Sequence, residues 1–143
     1  MYRVTLALLF TLLSVSSPAN AWWNDSWNFR KEIVIDAAKL QPAVTEALED
    51  VPILLRLHTG NFGYFFDVKE GGADLRVIAG DDQTPLKFDV EHWDPINELG
   101  YLWVRLPRLA AGGKASIYLY YGNPLAPAAA EPAAVSDDET LLR

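Results

Sequence analysis

The sequence predicts an all-β protein, an antiparallel β-sandwich of jelly-roll-like type, on two observations. Short runs of alternating apolar and polar residues, at least six of them, recur between turn residues. The stretch 101–124, YLWVRLPRLAAGGKASIYLYYGNP, holds two such runs, Tyr101–Leu106 and Ala115–Tyr121. They are joined across Gly112-Gly113 and stopped by Gly122-Asn123-Pro124. Period-2 alternation bounded by Gly, Asn and Pro is the signature of a β-hairpin.

The N-terminus has the build of a secretory signal peptide. Arg3 supplies a positive start, Val4–Val15 an apolar run, and Ala19-Asn20-Ala21 a small-x-small cleavage site before Trp22. The apolar run is shorter than the roughly 20 residues of a spanning helix, so cleavage after Ala21 is expected rather than retention as an anchor. Processing leaves 122 residues with 11 basic and 19 acidic side chains, a net charge of −8 against −7 for the whole chain. That length suits one domain with one modest core.

From Trp27 to Asp36, Phe29, Ile33 and Ile35 fall on one face and Arg30, Glu32 and Asp36 on the other, with Lys31 interrupting. This is a half-buried strand. Residues 37–50, rich in Ala, Leu and Glu, read as a short helix after Pro42 or as a flexible insertion. In Val51–Leu57 the residues Val51, Ile53, Leu55 and Leu57 share a face, and Pro52 suits a strand start or a sheet edge. Phe62–Phe66 is a dense aromatic patch flanked by Gly60 and Gly63, and Gly71-Gly72 then breaks the chain. Asp74–Ala79 is a short strand ending at Gly80-Asp81-Asp82. Leu86–Trp93 alternates Leu86, Phe88, Val90 and His92 against Lys87, Asp89, Glu91 and Trp93, and Asp94-Pro95 opens the next loop. After Asn123 the tract PLAPAAAEPAA reads as a semi-extended linker, and residues 135–143, VSDDETLLR, as the stub of a further module or as a tail.

Composition excludes several classes. The acidic balance, without basic blocks, argues against nucleic acid and anionic membrane surfaces. The absence of cysteine removes disulfide scaffolds, thiol nucleophiles and thiolate metal sites. Stability falls to the core, for which five Trp, six Tyr and six Phe are available.

Few constellations carry chemistry. Asp74 and Arg76, two apart on a strand, share a face, and Glu91 on a neighbouring strand would oppose them. Arg76 would there bind an anionic ligand, or the three would pin sheet register. Asp89 and Glu91 imitate a glycosidase carboxylate pair, though strand geometry alone yields such spacing. His58 and His92 are too few for zinc without acidic help. Ser26, Ser116 and Ser136 lack a nucleophile-elbow context. No cofactor is expected. Calcium is better supplied than zinc, with Asp81 and Asp82 as ligands beside Asp67 and Glu70 in other turns. Among the aromatics, Trp23 and Trp93 are the candidates for a sugar-stacking platform. Trp103 and Tyr120 read as core, and Trp22 and Trp23 as packing across a sheet end or meeting a partner.

Five landmarks in order, WNFRK at 27–31, GADLR at 72–76, LKFDVEHWD at 86–94, LWVRLP at 102–107 and IYLYYGN at 117–123, resemble the bacterial domain-of-unknown-function family 2341 (DUF2341). The resemblance spans most of residues 23–124 and implies an exported β-sandwich module. It implies neighbours too: a concanavalin-A/laminin-G-like domain often follows, whose start DDETLL at 137–142 resembles, and some members carry a MotA/TolQ/ExbB-type proton-channel segment. It assigns no catalytic residue. The expectation is a non-catalytic binding module, periplasmic or secreted, with an envelope protein or a glycan as partner and any membrane association through a missing C-terminal region. A carbohydrate-binding accessory domain, a glycan-active enzyme and a structural spacer are the alternatives.

Overall fold

The computed structural model describes residues 22–129. The signal peptide expected at residues 1–21 and the stub or tail expected at 135–143 lie outside the described residues. Six strands are present among the described residues: β1 (Phe29–Asp36), β2 (Leu48–His58), β3 (Arg76–Ala79), β4 (Phe88–Asp94), β5 (Leu99–Leu109) and β6 (Lys114–Tyr121). They form two three-stranded sheets, ordered β1-β6-β3 and β2-β5-β4, with every pairing antiparallel. The all-β sandwich expected from the sequence is the fold.

Alternation decides which faces meet. In β5, Leu102, Val104 and Leu106 are buried, and in β6, Ile117, Leu119 and Tyr121. These rows face each other across the core, joined by Ile53, Leu55 and Leu57 of β2 and by Ile35 and Val77. Each fully buried aliphatic side chain contributes about 1.5–3 kcal/mol through the hydrophobic effect. Phe62 and Phe65 from the 59–75 loop plug one end of this core.

The hairpin expected from Tyr101–Leu106 and Ala115–Tyr121 does not form. β5 pairs with β2 and β4, while β6 pairs with β1 and β3. Both strands are central in their sheets, and each presents one apolar face. They therefore bury more surface opposite each other than side by side, and Gly112-Gly113 carries the chain across the end of the sandwich. The hairpin present is β4–β5. Its turn is fixed by Asp94, whose carboxylate accepts the Ile96 and Asn97 N–H groups at 3.0 Å each.

Between β1 and β2 there is a single 3-10 turn, Ala37–Lys39, capped by Asp36, and no longer helix. β2 begins at Leu48 rather than Val51. β3 begins at Arg76, leaving Asp74 in the preceding loop. The first part of the Ala/Pro tract is fastened to the sandwich, because Ala126 is buried with Trp27, Ile78 and Tyr120 in a second apolar cluster. This cluster covers the outer face of the β1-β6-β3 sheet.

Candidate functional site

The polar residues singled out from the sequence go to separate places. Asp74 is fully buried. Its carboxylate accepts the backbone N–H groups of Lys69 at 2.8 Å, Gly122 at 2.8 Å and Asn123 at 2.9 Å. Its carbonyl accepts the Trp27 indole N–H at 2.7 Å. Asp74 thus ties three loops together and offers no free oxygen to a ligand. The Arg76 guanidinium lies 5.3 Å from the Trp27 ring centroid and donates to the carbonyls of Ala73, Leu75 and Pro127. Burial draws it below its ordinary pKa, and nearby Asp74 opposes that shift. Its hydrogen bonds go to backbone rather than to an anion. Glu91 belongs to the other sheet and accepts the Trp103 indole N–H at 2.8 Å, so it does not complete a site with Asp74 and Arg76.

Asp81 and Asp82 are adjacent in sequence but not in role. The Asp81 carboxylate accepts the N–H groups of Gln83 and Thr84 and the Thr84 hydroxyl, which hold its pKa below the ordinary value, the hydroxyl foremost. Asp82 is buried, ion-paired with Arg30 and hydrogen-bonded by the Tyr120 hydroxyl at 2.7 Å. Both carboxylates are engaged by the protein, and no group of three or more His, Cys, Asp or Glu side chains is placed to hold a metal among the described residues. Asp81 and Asp82 therefore do not form the calcium site weighed from the sequence.

The tryptophans also depart from expectation. Trp93 points into the core, its ring 5.0 Å from Phe65 and 5.9 Å from Phe62. The cause is a β-bulge: register shifts between Val90 and His92, so that Glu91 and His92 both face solvent and Trp93 returns inward. Trp23 is half-buried in the second cluster, 5.1 Å from Trp27 and 5.6 Å from Tyr120, and its backbone N–H donates to the Tyr120 hydroxyl. Tyr120 is core, as expected. Trp103, by contrast, lies on the outer face of β5, between the inward-facing Leu102 and Val104. Neither Trp23 nor Trp93 is an open platform.

The exposed aromatic surface lies elsewhere. Tyr121, at the end of β6, is sandwiched between Phe29 at 5.4 Å and Tyr64 at 5.7 Å, both nearly parallel to it, with Phe62 edge-on at 5.2 Å. Tyr121 is buried, while Phe29 is 46% exposed, Tyr64 48% and Phe66, in the same loop as Tyr64, 77%. Burial pushes the Tyr121 phenol up to about 12, with Tyr64 and Asp67 adding to the effect. Gly122 follows with φ of 82°, and a Cβ there would lie 2.5 Å from the Phe29 ring. Glycine is thus what lets Phe29 lie flat on Tyr121. The sequence signal for this site was the Phe62–Phe66 patch. Its 3-10 turn divides the patch into inward Phe62 and Phe65 and outward Tyr64 and Phe66.

No curated protein and no solved structure matches the chain. The model of the family described as Domain of unknown function (DUF2341) matches residues 71–138, a span that holds β3 to β6 together with Asp74, Arg76, Asp82 and Tyr121. This match supports the resemblance to DUF2341 that the landmarks carry.

Proposed function

We propose that this chain is a non-catalytic interaction module, exported to the bacterial cell envelope, that engages a glycan or an envelope protein through its aromatic end. The observation that carries the reading is the Phe29–Tyr121–Tyr64 stack. Rings held from behind by a buried neighbour lose little rotamer freedom on binding, so exposed Phe29 and Tyr64 are pre-organised for a flat apolar or sugar face, with exposed Phe66 in the same loop as Tyr64. The engagement of Asp74, Arg76, Asp82 and Glu91 by internal partners supports a binding role over a hydrolytic one. By family resemblance, the module is the N-terminal part of a larger envelope protein, in some cases one linked to TolQ/ExbB-like proton-channel transport.

The test is retention of the full chain on immobilised polysaccharides and on immobilised envelope protein, compared with a Tyr64→Ala, Phe66→Ala variant. Both side chains are exposed, so the fold, checked by circular dichroism, is expected to survive. At least tenfold weaker retention of the variant is the expected result. Equal retention of the two proteins, or retention of neither, overturns the reading.

A further inference from the structure

The two sides of the sandwich are finished differently. On the β3/β4 side the connecting chain folds back along the sheet edge. Leu86 N–H donates to Val77, Ala79 N–H donates to Thr84, and Ile78 bridges Pro85. On the other side, β1 and β2 are the edges of their sheets, each with only one strand partner among the described residues. Both edges line the same groove. Its larger part, about 410 Å3, lies between Ile33–Asp36 and Ile53–Arg56, and a second part of about 280 Å3 continues towards Lys31 and Leu57. The residues between β1 and β2 cross over at one end only, so this side is left unlaced.

The groove is apolar inside and basic at its margins. Ile33, Ile53 and Leu55 form its interior, and Lys31, Lys39, Arg56 and Lys114 reach its rim against two carboxylates, Glu32 and Asp36. Of the four cations, Lys39 has a distant contact with Asp36 at 3.9 Å, and the others form no ion pair among the described residues. An excess of positive charge at one groove stands out in a chain of net charge −7. Lys31 also occupies an inward-facing position on an edge strand, a placement that discourages indiscriminate strand pairing. An acidic guest removes that obstacle.

We propose that the groove between β1 and β2 receives an extended segment of a partner protein that alternates apolar and acidic residues and pairs with the free edge of β1. Main-chain hydrogen bonds to an open edge give affinity, and side-chain pockets and charge give selectivity. This site is separate from the aromatic end, and its test leaves Tyr64 and Phe66 untouched.

The experiment follows the fluorescence anisotropy of a labelled peptide, Asp-Val-Glu-Val-Asp-Val-Glu-Val, titrated with the full chain at low and high salt. Saturable binding that weakens with salt is expected. It should weaken at least tenfold in an Arg56→Glu, Lys114→Glu variant whose circular dichroism is unchanged. A Lys-for-acid peptide and an acidic peptide N-methylated at alternate residues should both fail to bind. Absence of saturable binding, equal binding of the Lys peptide, or indifference to the two reversals overturns the proposal. Two further outcomes replace the partner with another occupant. Dimerisation in sedimentation that the peptide reverses would assign the groove to a second copy, and peptide affinity that rises tenfold on removing residues 130–143 would assign it to the chain's own acidic segment.

Discussion

Replacing Asp74 with Ala removes the acceptor of three backbone N–H groups, that of Lys69 and the buried ones of Gly122 and Asn123. A buried donor left without a partner costs about 1–3 kcal/mol, so Asp74→Ala is expected to lower unfolding free energy by at least about 2 kcal/mol in urea titrations. Tyr121 makes a prediction at the alkaline end. Its folded pKa is raised to about 12, above the unfolded value near 10, so its contribution is fully present below pH 10 and is lost as pH rises towards 12. Phenolate absorbance and tyrosine fluorescence should show unfolding within that window, and Tyr121→Phe should shift it upward. Asp81 and Asp94 act in the opposite direction. Hydrogen bonds, led by those from the side chains of Thr84 and Asn97, depress both carboxylates. Their turns are thus fully held above the unfolded value of about 3.9 and loosen as pH falls through the lower folded value. The amide shifts of Thr84 and Asn97 in NMR spectra at falling pH would report the loss.

At the scale of the element, period-2 reasoning located all six strands, and where it failed the causes are specific. In β2 the face formed by Val51, Ile53, Leu55 and Leu57 was legible because no irregularity interrupts it. In β4 the bulge at Glu91 adds one residue, so every position beyond it changes face, and Trp93, read as outward, is inward. Nothing in the alternation of LKFDVEHWD marks that insertion. The nearest clue is Gly100, opposite Trp93, where a Cβ would come within 2.8 Å of the indole ring. Gly100→Ala is accordingly expected to destabilise the fold by about 1–3 kcal/mol through overpacking, read as a lower thermal midpoint. The hairpin was misread for a different reason. Two alternating strands joined by a Gly-containing turn look the same whether they pair side by side or face each other across a core. The candidate site suffered most, because Asp74 and Arg76 looked like a surface pair only while both were counted within β3.

For the whole molecule, domain class was legible from turn spacing and alternation, while the assignment of strands to sheets was not. The family match begins at Gly71 and so includes β3 to β6 but neither β1 nor β2. Each sheet would then keep two strands, with the inner face of β6 deprived of Ile33 and Ile35 and that of β5 deprived of Ile53, Leu55 and Leu57. Two-stranded sheets are marginal in water. A fragment of residues 71–143 is expected to show no cooperative unfolding by circular dichroism, whereas residues 22–143 should unfold in one transition. The order of strands has a temporal consequence as well. Phe29 pairs with Tyr121, more than ninety residues downstream, and β6 is the only strand that β1 joins among the described residues. A growing chain can therefore assemble neither the β1-β6-β3 sheet nor the core that it closes until its last strand has emerged. Such non-local pairing places folding in the millisecond-to-second range. Under the export proposed above, that delay would keep the chain unfolded and pliable while it passes through a membrane pore.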